Sequence, residues 1–301
     1  MTQIELEQLI QNTESDRLEK TVSLTNTDKY SEAICAIANE QEERILAEKR
    51  AAPALTFDAQ PCQEAMLTDL ALGLFEAYRA QAVDEETIAA NHRNVEDQLA
   101  SLRFYSLRFG CPTYSGTLLF GRKPRYFLPR HYVQYLLFAG TDMADVPIDQ
   151  AEIEGDLSSM IREIELRIRT IITNSLRQAE GWREKVQPDY PEWAVREVLL
   201  NALVHRDYAS NSPVRFYVFA DRIEITNPGG LYGNSRPENF PHVNAYRNPI
   251  VAEAVKTLGF INRFGYGVHR AKTLLASNGN PEPSFEFSSV WVKATVWKRR
   301  E

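Results

Sequence analysis

Three polar side chains share one face of a predicted helix in the stretch REVLLNALVHRDY. Glu197 and Asn201 are four residues apart, and His205 continues the same stripe one turn further on. The other faces are apolar and can be buried against a sheet. A carboxamide oxygen is a hard ligand suited to Mg²⁺, and a carboxylate one turn away can orient and deprotonate a water molecule. The spacing therefore makes Glu197 a candidate base and Asn201 a candidate metal ligand, although such residues also cap or brace their neighbours.

The His-Arg-Asp triplet at the end of this helix suggests a protein kinase, but its surroundings do not fit. A kinase catalytic loop has Asn five residues after the Asp, and here that position is Ser212. The sequence contains no Val-Ala-Ile-Lys strand, no Asp-Phe-Gly motif and no glycine-rich loop before the triplet. We therefore do not interpret the triplet as kinase chemistry.

A glycine turn follows a predicted strand in the segment DRIEITNPGGL. The strand ends at Asn227, and the chain turns through Pro228, Gly229 and Gly230. Paired glycines permit positive φ and allow the backbone to approach a ligand closely. This turn is a candidate binding element, although glycines also serve turns for purely structural reasons.

A second glycine pair occurs at the predicted start of a later helix, in the segment RFGYG. It places Arg263, Gly265 and Gly267 where exposed N–H groups and the helix dipole favour a phosphate group. A single Gly-x-Gly is weak evidence. The order of the elements is more specific, because Glu and Asn on a helix precede a strand with a Gly-Gly turn, a long loop and this second glycine pair. That order predicts a nucleotide pocket.

The same order of elements resembles the GHKL (Bergerat-fold) ATPases, which include gyrase, Hsp90, histidine kinases and MutL. The resemblance implies that ATP and Mg²⁺ are the cofactors and that residues 231–248 form a mobile lid. It also implies an adenine site at Asn227, where those families usually have Asp. The positions that it assigns to nucleotide or metal binding are Asn201, His205, Asn227, Gly229, Gly230, Arg263, Gly265 and Gly267, with Glu197 as the water-activating base.

A narrower resemblance covers residues 150–301. The segments HRDY, DRIEI, NPGGL, RNP and GYG together are similar to the C-terminal domain of transcriptional regulators described as "ATP-dependent DNA helicase RecG-related". No Gly-x-x-x-x-Gly-Lys-Ser/Thr loop is present in the chain, so the resemblance does not bring a helicase motor with it.

The remaining patterns predict an α+β protein in three parts. Residues 151–301 are expected to form a Bergerat-type α/β sandwich, whose strongest helix carries an apolar stripe through Leu157, Ile161, Ile164 and Ile168. Residues 51–150 read as a mostly helical, winged-helix-like unit. Residues 1–50 form a short α/β remnant.

The segments ESDRLEKTVS and AICAIAN in that first part resemble the opening of a Schlafen-type AlbA_2 domain, with Glu14 and Glu19 at its acidic positions. The chain then continues as EQEERILAEKR, so the sheet core of an AlbA_2 domain is expected to be missing.

Composition limits the class of protein. The net charge of −7 argues against nucleic-acid binding by bulk charge, although the cluster around Arg122, Lys123 and Arg125 could form a local basic patch. Cys35, Cys62 and Cys111 contain no CxxC pair. No segment is long and apolar enough for a membrane span, and the N-terminus is unlike a signal peptide. We expect a cytoplasmic protein.

Three functions remain open at this point. The first is an ATP-binding regulator in which lid closure repositions the middle unit or a dimer partner, with a possible link to DNA. The second is a DNA-binding transcriptional regulator whose GHKL-like domain is a non-hydrolysing scaffold. The third is an enzyme with ATPase turnover.

Overall fold

A mixed six-stranded sheet is the framework of the structure, a computed structural model that describes residues 55–178, 184–243, 245–261 and 267–300. The chain divides into two units, Met1–Leu55 and Thr56–Glu301. The AlbA_2-like segments and Cys35 fall in the first unit and lie outside the described residues. The second unit confirms the α+β class, because helices and strands alternate around one mixed sheet.

The described α-helices are, in chain order, α1 Leu72–Ala82, α2 Glu85–Ala90, α3 Val95–Ser101, α4 Tyr114–Phe120, α5 Pro124–Phe127, α6 Leu157–Ile171, α7 Glu192–His205, α8 Pro249–Thr257 and α9 Gly267–Ser277. The described strands are β1 Tyr105–Ser106, β2 Cys111–Pro112, β3 Val133–Phe138, β4 Pro147–Ile153, β5 Asn174–Gln178, β6 Glu184–Pro188, β7 Val214–Val218, β8 Arg222–Pro228, β9 Ser284–Phe287 and β10 Trp291–Trp297.

The main sheet has the strand order β4-β3-β7-β8-β10-β9. Only β3 and β7 pair in parallel, with Val133 opposite Val214, and the other neighbours are antiparallel. The strand predicted in the segment DRIEITNPGGL is therefore confirmed as β8. The pairs β1–β2 and β5–β6 form separate two-stranded ribbons.

The predicted apolar stripe of the strongest helix is confirmed in α6. Leu157, Ile161, Ile164 and Ile168 are all buried. Asp156 caps the helix by accepting a hydrogen bond from the Ser159 N–H at 3.0 Å, which satisfies one of the free amides of the first turn. The helix packs beside α7 in the layer that covers one face of the sheet.

Helix α7 lies at the centre of that layer, against β7, β8, α6, α8 and α9. Most of its residues are buried, including Glu197. The sheet residues facing this layer alternate with period two, as Ile223 and Ile225 show on β8. Asn227 continues that alternation and so reaches the same covered face.

The region before β3 is mostly helical, and its strands β1 and β2 form a short ribbon after helices α1 to α3. Residues 115–120 belong to helix α4, and the winged-helix-like character of residues 51–150 stays a prediction. The strand at 132–138 is β3, and it joins the main sheet instead of a wing. The division at residue 150 stays a prediction, and that residue lies within β4.

Candidate functional site

A cavity of about 560 Å³ opens between α7, the end of β8, the loop 231–248 and the start of α9. It brings together every described residue that the sequence analysis assigned to the site, namely Glu197, Asn201, His205, Asn227, Gly229, Gly230 and Gly267. Arg263 and Gly265 lie outside the described residues. The roles given to these side chains stay predictions, whereas their convergence on one cavity is a property of the fold.

Glu197 and Asn201 lie one turn apart on α7, as predicted, and they are hydrogen-bonded to each other. The Asn201 amide nitrogen donates to the Glu197 backbone carbonyl at 2.8 Å and to Glu197 Oε1 at 3.1 Å. Because the nitrogen is turned to Glu197, Oδ1 is the Asn201 atom left to act as a ligand.

The Glu197 carboxyl is 2% exposed, and its Oε2 has no hydrogen-bond partner. Burial raises its pKa, while the Asn201 hydrogen bond and the charges of Arg196 and Arg270 lower it to a smaller extent. A carboxylate with a raised pKa and one free oxygen is a better proton acceptor than a solvent-exposed carboxylate.

Gly267 begins α9 directly against this carboxyl group. A Cβ placed on Gly267 would lie 1.6 Å from Glu197 Oε1 and 2.5 Å from Glu197 Cδ. Any side chain at this position would therefore displace Glu197. The first turn of α9 and the predicted catalytic carboxylate can occupy this geometry only because residue 267 is glycine.

Asn227 is the last residue but one of β8, and it lines the cavity. It is 8% exposed, and its Oδ1 has no hydrogen-bond partner. An unpartnered buried amide oxygen is costly unless a ligand or water satisfies it. The position is thus suited to a polar group of a ligand.

The turn after Asn227 needs both of its glycines. Gly229 has φ +98°, and a Cβ there would lie 2.8 Å from Asp207 Cβ. A Cβ on Gly230 would lie 2.6 Å from the Ser288 carbonyl oxygen. The turn is packed tightly between the end of α7 and the β9–β10 hairpin, so the glycines first serve the fold and also place backbone at the cavity wall.

His205 contributes a neutral ring to the cavity wall. Its imidazole stacks on Tyr246, with ring centroids 5.1 Å apart and planes at 16°. Burial, assisted by the positive charges of Arg247 and Lys256, lowers the pKa of His205 to about 4. The ring is therefore an aromatic surface at neutral pH and not a cation for phosphate.

The other two members of the triplet have structural contacts. Arg206 is 1% exposed and donates to the backbone carbonyls of Arg130 at 2.5 Å and Ser212 at 3.0 Å. The Asp207 N–H donates to the Pro228 carbonyl at 2.8 Å. The Asp207 contact joins the end of α7 to β8, and the Arg206 contacts join it to the segments before β3 and β7. They account for the triplet without kinase chemistry.

The sequence analysis did not assign a role to Arg247 or to the aromatic residues that line the cavity, which are Tyr232, Phe240, Tyr246 and Phe285. The Arg247 guanidinium donates to the Gly230 carbonyl at 3.1 Å, lies 3.7 Å from the Asp207 carboxylate and stacks 4.8 Å from the centre of the Tyr232 ring. Phe240 packs on Phe285 with centroids 4.9 Å apart. These contacts connect distant segments, so no local pattern indicated them.

The described residues contain no group of three or more His, Cys, Asp or Glu side chains that could hold a metal ion. Asn201 by itself would supply one oxygen. This is compatible with Mg²⁺, which commonly keeps several waters and enters with substrate phosphates. Within the same residues, every helix is too short or too polar to cross a bilayer.

Comparison with known proteins agrees with this geometry. Residues 211–296 match the family model HATPase_c_4, described as "Putative ATP-dependent DNA helicase recG C-terminal". The matched segment begins before β7 and ends within β10. The match includes Asn227, both turn glycines and Gly267, whereas Glu197, Asn201 and His205 lie upstream of it.

Among the solved structures of similar fold is the DIP2311 protein from Corynebacterium diphtheriae, with a TM-score of 0.64 and 24% identity. The alignment covers 84% of this chain and 50% of that one, so the chain spans about half the length of the structure it matches. No curated protein matches the sequence.

Proposed function

We propose that the cavity between α7 and the loop 231–248 binds ATP together with Mg²⁺. The observation that carries this proposal is the convergence of Glu197, Asn201, Asn227 and Gly267 on one cavity of about 560 Å³. Four separate segments contribute these residues, and the volume lies within the roughly 300–1,000 Å³ of small-molecule sites. The match to a HATPase-type family supports the same ligand.

In this proposal the adenine ring of ATP lies at the sheet end of the cavity, and its phosphates lie at the start of α9. Asn227 supplies the polar contact to the base. The free N–H groups at the start of α9 bind phosphate, because the positive end of the helix dipole lies there. Asn201 Oδ1 then contributes one oxygen to the Mg²⁺ that accompanies the phosphates.

The binding test is calorimetry with Mg²⁺–ATP on the wild type and on Asn201→Ala. Asn211→Ala is the matched control, because Asn211 is exposed and does not line the cavity. We expect the wild type and the control to bind alike and Asn201→Ala to lose at least about tenfold in affinity, since a charge-assisted contact is removed. Absence of binding by the wild type would refute the proposal.

We propose further that Glu197 activates water for hydrolysis. Its free Oε2 and raised pKa suit a base that takes a proton from an attacking water. Glu197→Gln keeps the shape and an oxygen acceptor. The variant should retain Mg²⁺–ATP binding and lose phosphate release in a single-turnover assay. If neither protein releases phosphate, the domain binds nucleotide without turnover.

The loop 231–248 is the candidate lid of this site. We propose that bound nucleotide closes this loop over the cavity. The closure would serve either DNA-linked regulation, as in regulators of the RecG-related, AlbA_2 type, or assembly with a second copy of the chain. Glu238 is exposed on the loop, so cleavage by a Glu-specific protease reports its accessibility. Mg²⁺–ATP should slow that cleavage, and an identical rate with and without nucleotide would contradict lid closure.

A further inference from the structure

Asn227 stands at the cavity end of β8 with an amide group and no partner for its oxygen. The side chain is 8% exposed, and it pairs in register with Val292 on β10. Its neighbours on the sheet floor of the cavity are Ile225, Val292 and Ala294. These apolar side chains have no hydrogen-bonding group, so they cannot distinguish one purine base from another.

The amide has a property that a carboxylate lacks at this position. An ionised carboxylate only accepts hydrogen bonds, whereas a carboxamide has two N–H donors and one accepting oxygen. A 6-aminopurine presents an N–H donor at position 6 and an accepting nitrogen beside it. A 6-oxopurine presents the reverse, an accepting oxygen at position 6 and an N–H at position 1.

Rotation of the Asn227 amide by half a turn exchanges its donor and its acceptor. In one orientation Oδ1 accepts from the 6-amino group and Nδ2 donates to N1, two bonds like those that Asn makes with N6 and N7 of adenine. In the other orientation Nδ2 donates to the 6-oxo group and Oδ1 accepts from the N1–H. A carboxylate would repel the 6-oxo group in the same pose, and that buried contact would remain unsatisfied.

We propose that Asn227 makes this site tolerant of the purine 6-substituent, so that it binds 6-oxopurine nucleotides as well as ATP. The inference rests on the proposed nucleotide site and adds the specificity of that site. Because the amide is the polar group at the sheet end of the cavity, its donor–acceptor exchange determines which bases are accepted.

The test compares Mg²⁺–ATP with Mg²⁺–inosine triphosphate, which has a 6-oxo group and no 2-amino group. Calorimetry on the full chain gives the ratio of the two Kd values for the wild type, Asn227→Asp and Asn227→Ala. A buffer at pH 8 keeps the new carboxyl ionised. A loss of folded protein changes the stoichiometry but not the ratio of the Kd values, so a partly folded variant still gives an interpretable result.

We expect the wild type to bind the two nucleotides within about tenfold of each other, since each has a bidentate pairing. Asn227→Asp should weaken the binding of inosine triphosphate relative to that of ATP by about 10- to 100-fold, the range expected for one bidentate contact. Asn227→Ala should weaken both and leave their ratio near the wild-type value.

Two results would overturn the inference. One is a wild type that binds ATP more than about tenfold more tightly than inosine triphosphate, because the two bases would then lack equivalent pairings. The other is the same ratio in the wild type and Asn227→Asp. A wild type that binds neither nucleotide would instead refute the proposed function itself, so the two failures are distinguishable.

Discussion

Replacement of Gly267 by alanine tests the contact at the centre of the site. At an ordinary first helical position, Gly→Ala stabilises a protein by about 0.4–1 kcal/mol, because the unfolded chain loses conformational freedom. Here the new Cβ would lie 1.6 Å from Glu197 Oε1 and 3.0 Å from Glu197 Cγ. Carbon atoms in contact lie about 3.5–4.0 Å apart, so the Glu197 side chain must move away.

Because Glu197 is displaced, Gly267→Ala should destabilise the protein instead of stabilising it. Overpacking of this kind costs about 1–3 kcal/mol, and it also separates Glu197 from Asn201, whose hydrogen bond to Oε1 is 3.1 Å long. We therefore expect Gly267→Ala to lower the free energy of unfolding by about 1–3 kcal/mol in urea denaturation. The variant should also lose Mg²⁺–ATP affinity, because both predicted site residues on α7 are moved.

Gly73→Ala is the matched control, since Gly73 lies in the first turn of α1 and a Cβ there has no atom within 4 Å. It should be neutral or stabilise by up to about 1 kcal/mol. Combining Gly267→Ala with Glu197→Ala should recover most of the loss, because the clashing carboxyl is gone. If Gly267→Ala stabilises the protein as Gly73→Ala does, the close contact between α9 and Glu197 is wrong.

Two further perturbations test contacts around the site. Asp58 is fully buried, and its Oδ2 accepts hydrogen bonds from the N–H groups of Ile250 at 2.7 Å and Val251 at 3.0 Å. Asp58→Ala leaves both N–H groups without an acceptor and should lower the free energy of unfolding by about 3 kcal/mol in urea denaturation. Asp58→Asn keeps an oxygen acceptor and should lower it less. Equal losses in the two variants would contradict capping of α8. His205 has a pKa of about 4 in the fold, below the usual value of 6.5, so the unfolded chain binds the proton first as the pH falls. Stability should therefore decrease between pH 6.5 and pH 4, by up to about 1.4 kcal/mol per pH unit from this group. His205→Phe keeps an aromatic ring on Tyr246 and should flatten that slope, and an unchanged slope would show that His205 is not held neutral.

Local spacing was sufficient to place Glu197 relative to Asn201. Four-residue spacing on a helix puts them on one face whatever surrounds them, because helical geometry repeats every 3.6 residues. Alternation along β8 would likewise put Asn227 on the face of Ile223 and Ile225. These inferences needed only backbone periodicity and the contrast between apolar and polar side chains.

The tertiary structure decided everything that depends on distant segments. Strand β3 joins the sheet by parallel pairing with β7, across about 80 residues of chain that local patterns cannot connect. Asp58 caps a helix that begins nearly two hundred residues later, and Tyr246 stacks on His205 from the far side of the loop. The sequence by itself therefore determined which side chains could perform chemistry and on which face of each element they lie. Packing between elements decided that they meet at one cavity, that Glu197 is desolvated there and that Gly267 is the residue which permits the contact.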